Sequence, residues 1–165
     1  MLSYRIEPLT DELKSEMLPM QDEYWKQVAE PFHQFPPDVN WNVYMTTQEN
    51  GSLKIVCGRN DENQLKAVAF VLITNHPHYA CICASLPLLW VAPDARKGRE
   101  GINLIKVAEG VAQMSGAQMM ITHGGIHNNV AKIFEFMKYD DFGRYFVKVL
   151  PNGPNGVKPV FKRNS

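Results

Sequence analysis

The sequence predicts an α/β fold of the α+β kind, with a mixed central sheet of about six to seven strands flanked by about four helices. Three observations carry this assignment. Apolar residues recur at helical spacing up to residue 50, change to strand-like runs through residues 53–92, and return to helical spacing from residue 98. The runs 53–58 and 65–74 are separated only by the polar segment Arg59-Asn60-Asp61-Glu62-Asn63, which reads as the turn of an antiparallel hairpin. Beyond residue 86 strands and helices alternate, and parallel neighbours need such crossovers.

The elements follow in order. Residues 3–8 form a first strand candidate, and Thr10-Asp11-Glu12 supply a helix start with acids at the positive end of the dipole. Leu13, Met17, Met20, Tyr24 and Val28 recur at helical spacing, although Pro19 is expected to kink or interrupt that helix. The segment Pro31-Phe32-His33-Gln34-Phe35-Pro36-Pro37 cannot stay helical. Asp38 can cap a second helix, with Trp41, Tyr44, Met45 and Gln48 on one face and Asn50-Gly51 at its end. After the hairpin, residues 86–92 read as an apolar strand, 98–115 as a helix, 118–123 as a strand, 128–137 as a helix and 142–150 as a last strand. The doubled Pro-Asn-Gly after residue 150 is turn chemistry. The expected organisation is one folded domain, residues 1–150, and a C-terminal tail, residues 151–165, with room for an edge strand at 157–161.

Composition excludes several classes. Hydrophobic residues make up 45% and charged residues 21%, which places the chain among globular proteins and outside the disordered range. Lys plus Arg, 17, equals Asp plus Glu, 17, so the whole chain has no electrostatic bias toward nucleic acid or membrane. No apolar run approaches the roughly 20 residues that cross a bilayer. Cys57, Cys81 and Cys83 are odd in number and no charged-then-apolar leader opens the sequence, so a reduced, cytoplasmic setting is expected. Cys81-Ile82-Cys83 lacks zinc-knuckle spacing and no second pair follows, so both read as strand residues and no metal is expected.

One stretch carries chemistry. From Pro93 the apolar strand turns polar and basic, and after Gly101 it becomes an amphipathic helix with Ile102, Ile105, Ala108, Val111 and Ala112 on one face. The first turn of such a helix offers unpaired N–H groups and the positive end of the dipole. Gly98 and Gly101 would let an anion approach that backbone, and Arg96, Lys97 and Arg99 surround it with positive charge. Pyrophosphate binding is the functional reading, and a basic surface turn before a packed helix is the plain one. The Walker pattern and Gly-x-Gly-x-x-Gly are both absent.

Residues 88–117, LLWVAPDARKGREGINLIKVAEGVAQMSGA, resemble motif A of the GNAT superfamily of N-acetyltransferases. Val91, Pro93, Asp94, Arg96 and Gly101 fall on its pattern, whereas Arg99 stands where the family has its middle glycine, with Gly98 one place early. The resemblance extends from Tyr4 to Leu150. In detail it resembles GNAT proteins encoded by tailed bacteriophages, through DVNWNVYMTTQENGSLKIVCGR, HPHY and RKGREG. It implies a GNAT fold with an antiparallel N-terminal meander and a parallel pair that splays after motif A. It also implies acetyl-CoA as co-substrate, its pyrophosphate on Arg96, Lys97, Gly98, Arg99, Glu100 and Gly101, its pantetheine along the backbone of Leu89, Trp90 and Val91, and a further contact from Asn128.

Acetyl transfer to a primary amine needs a neutral nucleophile, a polarised thioester carbonyl and a proton donor for the thiolate. The resemblance implies a strand amide near Val91 for the carbonyl. It places Phe134 where the family commonly has its proton-donating tyrosine, and phenylalanine donates none. Tyr139 and Tyr145 are the nearby alternatives, either as donors or as packing residues. His123 ends its strand on the side where the sheet splays and suits a general base; a core histidine is the other reading. Glu30, His33 and, with His76, His78 are candidates for the rim of an acceptor cleft, or for solvated loops. The resulting expectation is direct acetyl transfer in the cytoplasm, that of a host if the gene is a phage's. The acceptor would be a small-molecule or protein amine, and a homodimer is common in the family. Two alternatives stay open: a catalytically weak GNAT-fold binding or virion protein, and a nucleic-acid base modifier that the basic stretch VKPVFKR would serve.

Overall fold

The computed structural model describes residues 1–26, 39–96, 98–124, 130–141 and 143. The chain divides into two compact units, Met1–Met20 with Val39–His123 and Gln21–Asp38 with Gly124–Ser165.

The first unit is built on a five-stranded sheet. Its strands β1 (Ser3–Glu7), β2 (Leu53–Arg59), β3 (Leu65–Asn75), β4 (Ile82–Val91) and β5 (Met119–Ile121) stand side by side in chain order. The first three junctions are antiparallel and β4–β5 is parallel, so the meander and the crossover both form. Cross-strand partners share a face. Ile55 opposite Phe70 and Cys57 opposite Val68 line one side, and Val56 opposite Ala69 and Gly58 opposite Ala67 line the other. Every side chain among them is buried at 2% exposure or less.

Helices cover both faces. Helix α1 (Asp11–Tyr24) buries Leu13, Met17 and Met20 and runs unbroken through Pro19, where an interruption was expected. Pro19 is exposed, so the carbonyl it cannot bond lies where water can reach it. Helix α2 (Trp41–Glu49) sets the Tyr44 ring edge-on to Phe70 at 5.0 Å. Its cap is Asn40, whose Oδ1 accepts from the Val43 amide at 3.4 Å, rather than Asp38, which lies outside the described residues. It closes with Gly51 N–H on Gln48 O and Ser52 N–H on Thr47 O, the paired bonds of a Schellman end.

Helix α3 (Glu100–Met114) buries Leu104, Ile105 and Ala108 completely. It begins two residues after the predicted start, because Gly98 at φ +91° cannot extend a right-handed helix. Gly116, at φ +82°, ends it as expected, with its N–H on Gln113 O and that of Ala117 on Ala112 O. Strand β4 starts at Ile82, four residues before its apolar run suggested, because Cys83, Ala84 and Ser85 are paired with β3 on one side and β5 on the other. Pairing overrides the weak local strand preference of small residues.

Arg59 fastens β1 and α1 to the sheet. All five guanidinium N–H groups are used: two on Glu7, two on Glu16 and one on the Asn63 carbonyl, at 2.6–3.0 Å. Arg5 adds a second cation by donating to Glu7 Oε1 at 2.7 Å. The Arg59 bonds, ahead of those from Arg5, hold the Glu7 carboxyl at about 2. Burial pushes the Cys57 thiol up to about 12.

In the second unit helix α4 (Val130–Phe136) buries Phe134, and Gly124 lies so close to it that a Cβ there would meet the Ala131 Cβ at 2.7 Å. The predicted last strand, apart from Gly143, and the tail lie outside the described residues.

Candidate functional site

The end of β4 and the start of α3 form the site. Ala92 N–H donates to Lys66 O at 2.7 Å, so this pair exchanges the narrow-pair bonds of the β3–β4 ladder. Alternation then gives the backbone groups of Trp90 to Val68 and those of Leu88 to Phe70, and turns the N–H and C=O of Leu89 and Val91 away from β3. On that outer side β5 pairs only with Cys83, Ala84 and Ser85. From Leu86 onward, therefore, β4 has no strand there among the described residues, and the edge of Leu89 and Val91 is open. Trp90, 8% exposed, buries its indole Nε1 with no acceptor among the described residues.

A single 3₁₀ turn, Pro93–Ala95, then redirects the chain. Arg96 Nε donates to Val91 O at 2.9 Å, which occupies one of the outward carbonyls and holds the guanidinium over the strand end. Asp94 is tied to the sheet by Lys66 Nζ at 2.6 Å, and that bond lowers the Asp94 carboxyl below its ordinary range. Both charged neighbours of the turn are thus used to fix it.

Gly98 stands at φ +91° with no atom within 4 Å of a hypothetical Cβ, so conformation rather than crowding calls for glycine there. Arg99 caps α3 without a side-chain bond to the helix. The first intrahelical bond is Asn103 N–H to Arg99 O at 2.9 Å. The amides of Glu100, Gly101 and Ile102 therefore have no acceptor within the helix, and the dipole adds to their positive field. Arg96 and Arg99, both exposed, lie beside them, with Lys97 between in sequence but outside the described residues.

Glu100, expected among the cofactor contacts, offers its backbone amide to the turn while its side chain points elsewhere. Its carboxylate turns to β1: Tyr4 Oη donates to Oε2 at 2.7 Å, Leu2 N–H to Oε1 at 3.5 Å and Asn103 Nδ2 to Oε2 at 3.4 Å. The Tyr4 bond leads in lowering this carboxyl's pKa, and burial leads in raising that of the Tyr4 phenol. Sequence reasoning missed Tyr4. Its one signal was Gly58, the cross-strand partner of Tyr4, where a Cβ would stand 2.7 Å from Tyr4 Cε1.

Of the remaining candidates, His78 stands apart from this turn. His78 lies in the β3–β4 connection, the opposite end of the ten-residue β4, a separation of about 30 Å along the strand. There His76 stacks on Tyr79 at 4.4 Å, and its Nδ1 accepts from His78 N–H. His123 is exposed, two residues past β5. In the second unit Tyr139 sets its ring 5.0 Å from the buried Phe134. Glu30, His33, Asn128 and Tyr145 lie outside the described residues, and no cluster of metal-ligating side chains occurs among the described ones.

No family model matches the chain, and no curated protein matches it in sequence. Solved structures do match. An acetyltransferase of Trypanosoma brucei is 13% identical with a TM-score of 0.70, over 91% of this chain and 100% of that one. A ribosomal-protein-alanine N-acetyltransferase from Brucella melitensis biovar Abortus 2308 is 13% identical at 0.68, over 90% and 99%. AAC(6')-Iy, solved with the bisubstrate analog CoA-S-monomethyl-acetylneamine, is 15% identical at 0.67, over 91% and 98%. The chain has the fold these proteins share, the GNAT fold expected from motif A.

Proposed function

We propose that the chain is an acetyl-CoA-dependent N-acetyltransferase that moves an acetyl group directly to a primary amine. The observation that carries this is the turn after β4: three amides without an acceptor in their helix, a glycine at positive φ and flanking arginines, at the end of a strand edge open among the described residues. Similarity of fold to AAC(6')-Iy, which was solved with a coenzyme A conjugate, supports assigning that turn to coenzyme A. Acetyl-CoA supplies the acetyl group as an activated thioester. The amides of Glu100, Gly101 and Ile102 with Arg96, Lys97 and Arg99 bind the pyrophosphate, and Gly98 shapes their turn. Leu89 and Val91 offer the outward groups that pair with pantetheine, Trp90 between them keeps the strand on β3, and Asn128 adds a contact. His123 takes the amine proton and Tyr139 protonates the departing thiolate. Glu30, His33 and His78 are proposed for the acceptor side, within a domain spanning residues 1–150. The acceptor is a small-molecule or protein amine, and the proposed place of action is the cytoplasm.

Calorimetry tests the reading. Wild-type chain should bind acetyl-CoA in the micromolar range, and Arg96→Ala with Arg99→Ala should weaken binding by at least tenfold, more at low salt than at high. No binding by the wild type refutes it. A second reading, a GNAT-fold binding protein with little catalysis, draws on the buried Phe134 ring where the family's proton donor would stand. Bound acetyl-CoA without turnover across an amine panel would favour it.

A further inference from the structure

We propose that Tyr4 is a positioning residue for the anion-binding turn: its hydroxyl holds the Glu100 carboxylate against β1, away from the space in front of the first-turn amides of α3. The inference rests on the coenzyme A reading above and adds to it the device that keeps the turn positive. Glu100 is the first residue of α3, and a carboxylate there is itself attracted to the helix N-terminus. Left to rotate, it would sit in the same field as a pyrophosphate and repel it. In the structure it does not. Tyr4 Oη reaches both the Glu100 carboxylate at 2.7 Å and the Glu100 carbonyl at 3.1 Å, and the Leu2 amide approaches the second carboxylate oxygen.

The seat of the phenol is built for this. Tyr4 pairs with Gly58 across β1 and β2, and any side chain at 58 would collide with its ring, the nearest Ala67 Cβ being only 3.0 Å away as well. A ring confined between strand and helix presents its hydroxyl in one direction. The three groups that hold the carboxylate come from β1, the residue before it and α3, so the turn's charge balance depends on the edge strand being in place.

The test is a double-mutant cycle on acetyl-CoA binding in the full chain. Tyr4→Phe keeps the ring and removes the hydroxyl; it should weaken binding about three- to tenfold, the range of one net hydrogen bond. The loss should shrink in high salt, because released Glu100 acts by charge repulsion. In a Glu100→Gln background the same Tyr4→Phe change should produce little further loss. Unchanged melting of Tyr4→Phe would show that the fold is kept, and a lower melting point leaves the Glu100→Gln rescue to decide. Equal binding by Tyr4→Phe and wild type would overturn the proposal. So would an equal loss in both backgrounds, which marks a merely structural role. Failure of the unaltered chain to bind acetyl-CoA would defeat the coenzyme A reading and this role with it, and is recognised because it appears in the parent protein.

Discussion

Replacing Arg59 by methionine should destabilise the fold by about 3 kcal/mol at neutral pH, and the loss should fade in acid. The structure supplies the magnitude in two ways. Arg59 is 7% exposed and satisfies four carboxylate bonds, so its removal leaves Glu7 and Glu16 facing each other across a half-dry space. Breaking one side of such a buried network costs about 3–5 kcal/mol. Independently, Glu7 is held at about 2 against an ordinary 4.5, a displacement worth about 3 kcal/mol, to which Arg5 contributes a smaller part. The sign follows from the direction. A carboxyl whose folded pKa is lowered stabilises fully above its unfolded value near 4.5, and that contribution is lost as the pH falls through about 2. Urea unfolding followed by tryptophan fluorescence at about pH 7, 4.5 and 2.5 would measure the gap between wild type and Arg59→Met. It should be largest at neutral pH and narrow steadily below 4.5. A gap under about 1 kcal/mol at neutral pH, or one that is the same at all three, would refute the reasoning.

Gly98→Ala should cost about 1–2 kcal/mol through φ +91° alone, since no atom lies within 4 Å of the new Cβ. Thermal melting should fall by about 2–4 °C per kcal/mol, and acetyl-CoA titration should show weaker binding; an unchanged melting point would mean that the turn tolerates another conformation. Among the cysteines, native alkylation near neutral pH should reach half-exposed Cys81 first and spare Cys57, whose thiol burial pushes up to about 12. Peptide mass spectrometry reads this directly, and a Cys57 adduct on folded protein would contradict it.

Much of the fold was legible because its signals are local. The polar residues Asn60 to Asn63 between two apolar runs, and the glycines after Asn50 and Ser115, act within a few residues, and the structure follows them, although Arg59, expected in the turn, is the buried last residue of β2. Where the reading slipped, a longer-range contact decided. Strand β4 extends back to Ile82 because neighbours on both sides pair with it, and α1 passes Pro19 because the affected carbonyl faces solvent. The anion turn was visible in the spacing of Arg96, Gly98, Arg99 and Gly101, but its electrostatics were not. Lys66 on Asp94 and Tyr4 on Glu100 link residues 28 and 96 positions apart.

The sequence by itself determined the order of the described helices and strands, the glycine ends of α2 and α3, and the glycine-and-arginine turn as the place to look for an anion. Each of these rests on backbone propensity, periodicity or charge within one or two turns of chain. Only the tertiary structure decided which carboxylates are drawn aside, which strand edge stays open and which arginine is consumed by the core. Arg59 and Arg96 differ little as letters, yet the first is enclosed by Glu7 and Glu16 while the second lies exposed, with its Nε on the Val91 carbonyl. Packing brings those partners together from 52 and 43 residues away, and no local pattern in the sequence encodes so distant a pairing.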